Sequence, residues 1–593
     1  MLWVIRHEWP SGALFAFNCY KHYALLVIHG NSDELLSLLS QTGVAQGCPL
    51  AMLLYGLTLL PMIRSLRAQF PNSIHVWFAD DGNIGGSWVD IRNYWKALAK
   101  LGPKFGYYPN ATKTKLITPA AIRTRAQAYC RLHNLSFTVK SSNRFLGGFV
   151  GESSELSCWL SKKVEEWKAS LKYLAPAFRN YPQSAYAGLQ KSLQHEWQFN
   201  QRVNPCSPTD FAPLEHTIAN NILPALFQQD PPPRDITALP VKHAGLSIPR
   251  PTDTCTSNLE VSQLVTADII SALTNKPDFT FSLAQHRSTV RSSRAAYTDQ
   301  ANSQRDTILA THLVTLDTAN QQQMLRACST GRFLTVYPSY SHNTNLSSQE
   351  FRDRIHYRYG MTPSDLPSHC DGCHAPFTVD HAMSFPNGGL IYARHDEIKF
   401  ELGALYKEAT STGFAQIEPA IFPKSTKPTE TPGNTPITPS HERGDLLLRN
   451  LFSRSTDCII DISIIDLNCA SYRDKDHEKV LRQKEDQKKR KYLKACHAQR
   501  RHFAPFIAST DGVLAREAKA ILKCIAEKLS QKWQQPYSSV MSYVTGRISI
   551  SLARACHRCL RGARISHHQT SYPFKEKNTT SSPTGDFLLA GSS

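Results

Sequence analysis

IHVWFADDGNIGG, residues 74–86, is the stretch on which the fold turns. An apolar strand runs into two aspartates, Asp80 and Asp81, then returns through an apolar residue and two glycines. Carboxylates that share Mg²⁺ or Mn²⁺ need such a frame: paired acids at a rigid strand end with a tight return. A bare Asp-Asp pair elsewhere caps a helix or marks a turn, so the surroundings carry the reading. QTGVAQGCPLAMLLYGLTLLPMI (41–63) is a glycine-bearing turn feeding a long apolar helix. GYYPNATKTKLI (106–117) is a turn followed by a basic strand, and NRFLGGFVG (143–151) a glycine-hinged hairpin.

These four elements, in this order and at these distances, resemble the palm of a reverse transcriptase of the non-LTR, LINE-like retrotransposon type. The resemblance implies that Gly43, Gln46, Gly47, Pro49 and Leu50 grip template and incoming nucleotide, and that Phe78-Ala79-Asp80-Asp81 is the metal box, with Phe for the usual Tyr. It places Lys113 near the triphosphate and makes Leu146-Gly147-Gly148 the hairpin that holds the primer end. Cys48 stands where many relatives carry Asp. Arg6, Trp9 and Pro10 to Phe17 resemble the segment leading into the grip. The family also draws a third carboxylate from a strand well before that turn, whereas the acids before Asp80 are Glu8, Asp33 and Glu34. Asp33 lies in HGNSDELL, which reads as a turn and helix start where the acid caps the helix. The expectation is a polymerase truncated at its N-terminus, lacking the first metal-binding strand of the palm and inactive in DNA synthesis.

The rest of the composition agrees with a polyanion partner. The chain has 593 residues and 67 Lys+Arg against 48 Asp+Glu, a formal charge of +19. At 41% hydrophobic it can build packed cores, which excludes wholesale disorder. No apolar run reaches about 18 residues and no signal-peptide pattern opens the chain, so neither membrane span nor secretion is expected. Fifteen cysteines, an odd number scattered through the chain, read as reduced thiols in a nuclear or cytoplasmic protein.

From about 119 onward the pattern turns helical, with Trp159, Val164, Trp167, Leu171 and Leu174 at helical spacing. Basic residues on the remaining face of 163–202 suit phosphate contacts of a polymerase thumb, or equally a solvated face. LPVKHAGLSIPRP (239–251) resembles the family's connector. Farther on, Cys370-x2-Cys373 followed by His381 has the reach of a zinc half-site. Related elements carry a Cys-Cys-His-Cys knuckle here, but their last Cys aligns with Phe385, so His395 or His374 would complete the site. Arg394-His395-Asp396-Glu397 also matches an Arg-His-Asn/Asp-Glu signature of the same elements, a competing use of His395.

After a Pro/Thr-rich linker come Arg443-Gly444-Asp445 and then Ile459-Ile460-Asp461-Ile462, with Leu446 to Leu448 and Ile459 to Ile465 as two buried strands. Asp445 and Asp461 on adjacent strands can hold Mg²⁺ beside a phosphate while a lysine stabilises developing charge. This is similar to the restriction-like PD-(D/E)xK endonuclease that follows the polymerase in one branch of these elements. Gly444 replaces the family's Pro and Ser463 its strand lysine; Lys488 and Lys491, before Tyr492, fit a migrated Lys-x-x-Lys-Tyr pattern better than Lys484 does. Asp445 as a cap and the lysines as a solvated face are the plain alternatives.

The fold class expected is multidomain α/β and α. Its segments are a partial right-hand polymerase fingers and palm over 1–118, the palm end and helical thumb over 119–250, a helical connector over 251–349 and a Cys/His knuckle-like region over 350–422. The linker spans 423–442, the α/β restriction-like endonuclease 443–565, and a disordered tail 566–593. The partners implied are an RNA template, a DNA target and dNTPs, with Mg²⁺ or Mn²⁺ at the aspartates and Zn²⁺ at the Cys/His cluster. A nucleic-acid-binding remnant without catalysis and a stand-alone Mg²⁺-dependent DNA endonuclease are the rival readings.

Overall fold

A computed structural model describes residues 1–29, 35–40, 43–44, 48–274, 282–410, 415–421 and 443–564. Gln46, Gly47, Asp33, Glu34, the 423–442 linker and the 566–593 tail lie outside the described residues. The chain divides into two units, 1–159 with 260–296, and 160–259 with 297 onward.

In the first unit the apolar run after Leu50 forms helix Ala51–Gln69, whose Leu59, Met62 and Leu66 pack on Tyr94 and Leu98 of helix Trp88–Leu101. Ser87 starts the second helix, its hydroxyl accepting the Asp90 N–H. Trp77 and Ile84 of the hairpin Ile74–Phe78 and Asp81–Gly85 lean on this helix pair, so the hairpin tip is carried on a packed base. Strands Lys115–Ile117 and Thr138–Lys140 pair in parallel, and Ser142–Phe145 with Gly148–Gly151 form a second hairpin. These are separate two-stranded sheets among the described residues rather than one broad palm sheet.

One local expectation fails here. Leu35–Ser40 is a strand, not the start of a helix, and pairs antiparallel with Ala24–His29. Leu38 opposite Leu26 and Leu39 opposite Leu25 give cross-strand contacts that a short capped helix lacks.

The second unit opens with helices and closes on a four-stranded sheet. Its strands lie side by side in the order His502–Ser509, Asp457–Ile465, Leu446–Arg449 and Ala415–Ile417. All neighbours are antiparallel except Asp457–Ile465 with His502–Ser509, which the crossover helix His477–Ala498 joins in parallel. Alternation along the strands sorts their two faces. Leu446, Leu448, Cys458, Ile460, Ile462 and Ile464 face a core with helices Leu390–Ala409, Arg516–Trp533 and Tyr537–Arg561. Leu447 and Ile459 turn to the other side, against Tyr492 and Cys496 of the crossover helix.

The sheet takes strand Ala415–Ile417 from before the Pro/Thr-rich stretch and Leu446–Arg449 from after it. Helix Leu390–Ala409 shares the same core. The segments expected as knuckle region and nuclease are thus one packed body, because a strand's edge is completed by whichever segment supplies hydrogen bonds, wherever it lies in the chain.

Helix Ser348–Arg358 ties this body to the preceding helices. Arg352 donates to the carbonyls of Leu226 and Phe178, Arg354 to those of Thr510 and Asp511, and Arg358 to that of Ala327. Buried guanidinium groups are tolerated there because each finds carbonyl acceptors.

Candidate functional site

The first acidic pair sits at a hairpin tip. Phe78 pairs with Asp81, so Ala79 and Asp80 make the two-residue turn, with Ala79 at φ +51°. A non-glycine residue in that region is uncommon and marks a turn held by its surroundings. Tyr107 supplies part of the hold by donating its hydroxyl to the Asp80 carbonyl at 3.1 Å. Burial, Tyr55 and the two aspartates raise the Tyr107 hydroxyl pKa, which keeps that donor protonated. Gly82 lies opposite Trp77, and a Cβ there would come within 2.8 Å of the indole. The glycine lets the ring cross the hairpin. Both carboxylates are exposed, so their oxygens are open to a metal and a phosphate.

The other residues tied to this pair occupy neighbouring turns. Lys113 is exposed and its N–H donates to Asn110 Oδ1, which also accepts from Thr112 and so fixes the turn before strand Lys115–Ile117. Leu146 at φ +45° and Gly147 at φ +82° form the tight turn that ends in Gly148. Gly43 at φ +82° and Cys48 line a cavity of about 470 Å³ with Tyr20 and His22, and Pro49 lies in the turn before helix Ala51–Gln69. The Tyr20 hydroxyl and the Leu50 N–H lower the Cys48 thiol pKa. Glu8, the described acid before Asp80, is paired with Arg64 at 2.8 Å.

The second acidic site is built at a sheet end. The register that sets Leu446 opposite Ile460 brings Asp445 across from Asp461 when continued by one residue. Asp461 shares the face of Ile459, the face that the crossover helix covers. On that helix Leu481, Glu485, Tyr492 and Cys496 are buried at helical spacing, and Lys488 falls on the same stripe. Its Nζ stands 2.7 Å from Asp461 Oδ2. Lys491 points off the stripe, is exposed, and donates to the Tyr492 hydroxyl at 2.8 Å. Lys484 instead donates to Gln487. The structure therefore brings Lys488 to Asp461 and turns Lys491 to Tyr492 instead.

Gly444 has a local cause too. A Cβ there would lie 2.4 Å from Ile459 Cγ2, so the position before Asp445 admits no side chain without a shift of the strand.

His395 joins this second site. Its Nε2 lies 3.1 Å from Asp445 Oδ2, and its Nδ1 3.1 Å from Asp396 Oδ1. Lys399 then holds Asp396 at 2.8 Å and Glu418 at 3.3 Å. Burial disfavours the imidazolium, but Asp445 and Asp396 outweigh it and raise the His395 pKa. Burial also works against charge on Asp445, yet His395, the Ile462 N–H and Lys399 hold its carboxyl below the usual range. Asp461 moves the other way: burial pushes it up, Lys488 opposes, and Asp445 adds to the rise. Two nearby carboxylates with pKa values pushed apart, one of them costly to ionise, form an oxygen donor set that a divalent cation would relieve. Lys488 and the exposed Lys479, Arg482, Arg490 and Lys494 of the same helix offer charge to a phosphate backbone.

The thiol cluster is smaller than expected. Cys370, Cys373 and His381 bring their ligand atoms within 4.8 Å of one another. Cys373 Sγ lies 3.5 Å from His381 Nε2, and the turn is closed by Cys370 and Ala375 at 2.8 Å. Burial opposes ionisation of Cys370, but the N–H groups of Gly372 and Cys373, the Cys373 thiol and Arg564 lower its pKa. His395 is not the fourth ligand, since its helix turns it to Asp445; His374 is outside the group as well. The Phe385 ring packs on His381 at 4.9 Å, at the position where the knuckle resemblance expects the last ligand. The donor set fits three of the four positions of a zinc site.

The sequence carried one unused signal for the second site. The spacing of Leu481, Glu485 and Tyr492 already separates Lys488 from Lys491. For His395 there was only the Arg394-to-Glu397 signature, without its partner Asp445.

Residues 3–174 match the family model described as reverse transcriptase (RNA-dependent DNA polymerase), a span holding Asp80, Asp81, Lys113 and the Leu146-Gly147-Gly148 turn. No curated protein matches the chain. The chain thus carries a reverse transcriptase domain over those residues, a family that acts on a nucleic-acid template and generally uses Mg²⁺. Among the described residues no helix is long and apolar enough to cross a membrane.

Proposed function

We propose that the chain is a retrotransposon protein of the non-LTR type whose C-terminal body is a Mg²⁺-dependent DNA endonuclease, and whose reverse transcriptase domain binds template and primer without extending them alone. The observation that carries the nuclease reading is the grouping of Asp445, Asp461 and Lys488 across two strands and the crossover helix. In this reading Asp445 and Asp461 would hold Mg²⁺, which when bound supplies a polarised phosphate and an activated water. Lys488 stands where it stabilises charge that develops on the phosphate. The exposed basic side chains of the same helix hold the DNA backbone without reading its sequence.

For the polymerase part, Asp80 and Asp81 would bind Mg²⁺, Lys113 the triphosphate and the Leu146 turn the primer end. Among the described residues the acid before Asp80, Glu8, is paired with Arg64, and in this reading extension stays near background with either Mg²⁺ or Mn²⁺. Robust extension on an RNA template that Asp80→Ala abolishes would overturn that part.

The test of the nuclease is nicking of supercoiled DNA with Mg²⁺ by the whole chain, Asp445→Ala and Asp461→Ala. Cleavage lost in both variants supports the reading. DNA binding without cleavage in any sample would favour a nucleic-acid-binding remnant instead.

A further inference from the structure

The carboxylate of Asp445 is held from one side. The Ile462 N–H donates to Oδ2 at 2.6 Å and His395 Nε2 lies 3.1 Å from the same oxygen. Both donors converge on Oδ2, so neither of them occupies Oδ1. A carboxylate with one oxygen saturated by protein donors offers a metal its other oxygen, in one orientation.

The imidazole is itself fixed. Asp396 Oδ1 meets Nδ1 at 3.1 Å and is anchored by Lys399, whose ammonium also reaches Glu418. His395, Asp396 and Lys399 all belong to helix Leu390–Ala409, whose Ile398, Leu402 and Leu405 sit in the sheet's main core. The ring is therefore mounted on a helix packed into the sheet's main core.

We infer that His395 is a positioning residue of the Asp445–Asp461 site, which sets Asp445 as a one-oxygen metal ligand by holding Oδ2, with Asp396 and Lys399 as its own supports. This rests on the nuclease reading above for what the metal does, but not for whether the metal binds. His395 touches no substrate; it acts through Asp445. Removing it leaves Asp445 held at Oδ2 by the Ile462 N–H alone, so the site loses orientation rather than a ligand.

The experiment uses the whole chain as wild type, His395→Ala, His395→Gln and Asp445→Ala, with Mn²⁺ alone as the probe. Bound Mn²⁺ is read by electron paramagnetic resonance, nicking of supercoiled DNA is read across a Mg²⁺ series, and melting is followed in parallel. We expect Asp445→Ala to lose the Mn²⁺ site. His395→Ala should weaken Mn²⁺ by roughly 10–100-fold and raise the Mg²⁺ needed for nicking by a similar factor, the usual loss when a ligand's supporting partner is removed. His395→Gln should restore most of both, because its amide N–H can still donate to Oδ2.

Mn²⁺ binding that changes in this order without any nicking would support the positioning role while ending the nuclease reading. Equal Mn²⁺ affinity in wild type and His395→Ala would overturn the inference, as would a His395→Gln chain that melts like the wild type yet binds Mn²⁺ no better than His395→Ala. A wild-type chain with no Mn²⁺ site sensitive to Asp445→Ala would overturn it together with the nuclease reading.

Discussion

Lys488 Nζ stands 2.7 Å from Asp461 Oδ2, the lysine on a crossover helix and the acid in the middle of a strand that the helix covers. The strand's own position two residues on, where a lysine would share the face of Asp461, is Ser463. A lysine moved from strand to helix reaches the same carboxylate from above, provided the helix keeps that face toward the sheet. Tyr492 and Cys496 do this by packing on Leu447, Ile459 and Phe503.

That geometry separates two lysines three residues apart. Lys488→Ala should reduce Mg²⁺-dependent nicking by about 10²–10³-fold, the loss typical when a preorganised donor to a developing charge is removed. Lys491→Ala should leave the rate per bound complex near wild type and mainly weaken DNA binding with a shallower salt dependence. Single-turnover nicking with saturating protein distinguishes the two effects. Equal losses in both variants would mean that the lysines act only as a charged surface.

Asp353 makes a prediction about stability. Its side chain is 3% exposed and accepts from Arg561 Nη2 at 2.8 Å and Nε at 3.0 Å, with His557 Nδ1 at 2.7 Å. Burial favours the neutral acid, but His557 and Arg561 outweigh it and lower the folded pKa. The stabilising contribution of this carboxylate is therefore complete above its unfolded pKa of about 3.9 and lost as pH falls through the lower folded value. Asp353→Ala should cost about 1–3 kcal/mol at neutral pH, because it removes a buried acceptor and leaves the partly exposed Arg561 guanidinium with only the carbonyls of Ser364 and Asp365. In urea unfolding the gap between the wild type and Asp353→Asn should narrow below about pH 4. A gap unchanged by acid would show that shape rather than charge makes the contribution.

The parts legible in the sequence are those fixed by local chemistry. The hairpin around Asp80 follows from an apolar strand, two acids and a glycine opposite Trp77, and strands Leu446–Arg449 and Asp457–Ile465 follow from short runs of Leu and Ile. Helix Ser153–Asn180 likewise follows the spacing of Trp159, Val164, Trp167 and Leu171. What was hidden depends on pairing across distance. HGNSDELL looks like a helix start until Ala24–His29 offers Leu35–Ser40 a partner strand. Nothing near Ala415–Ile417 shows that it will pair with Leu446–Arg449 across a Pro/Thr-rich stretch. His395 has the chemistry of a zinc ligand, and only the packing of its helix on the sheet turns it to Asp445.

The metal content tests that last assignment. In a tetrahedral zinc site with Zn–S near 2.3 Å and Zn–N near 2.0 Å, sulfur and nitrogen ligands stand about 3.6 Å apart. Cys373 Sγ and His381 Nε2 are 3.5 Å apart, and Cys370 lies within reach of both. We expect purified chain to carry about one zinc, with water or another small ligand in the position that Phe385 does not fill. Cys373→Ser should lose the metal, whereas His395→Ala should keep it, since His395 belongs to Asp445. The cluster also holds the chain beyond helix Tyr537–Arg561: the Arg564 N–H donates to Asp371 Oδ2 at 2.6 Å, and its guanidinium lies over the Phe377 ring at 4.8 Å. Chelation should therefore raise hydrogen exchange at the end of that helix before it affects the sheet. Zinc below about half an equivalent per chain would count against the three-ligand site, and zinc lost in His395→Ala would return that histidine to the cluster.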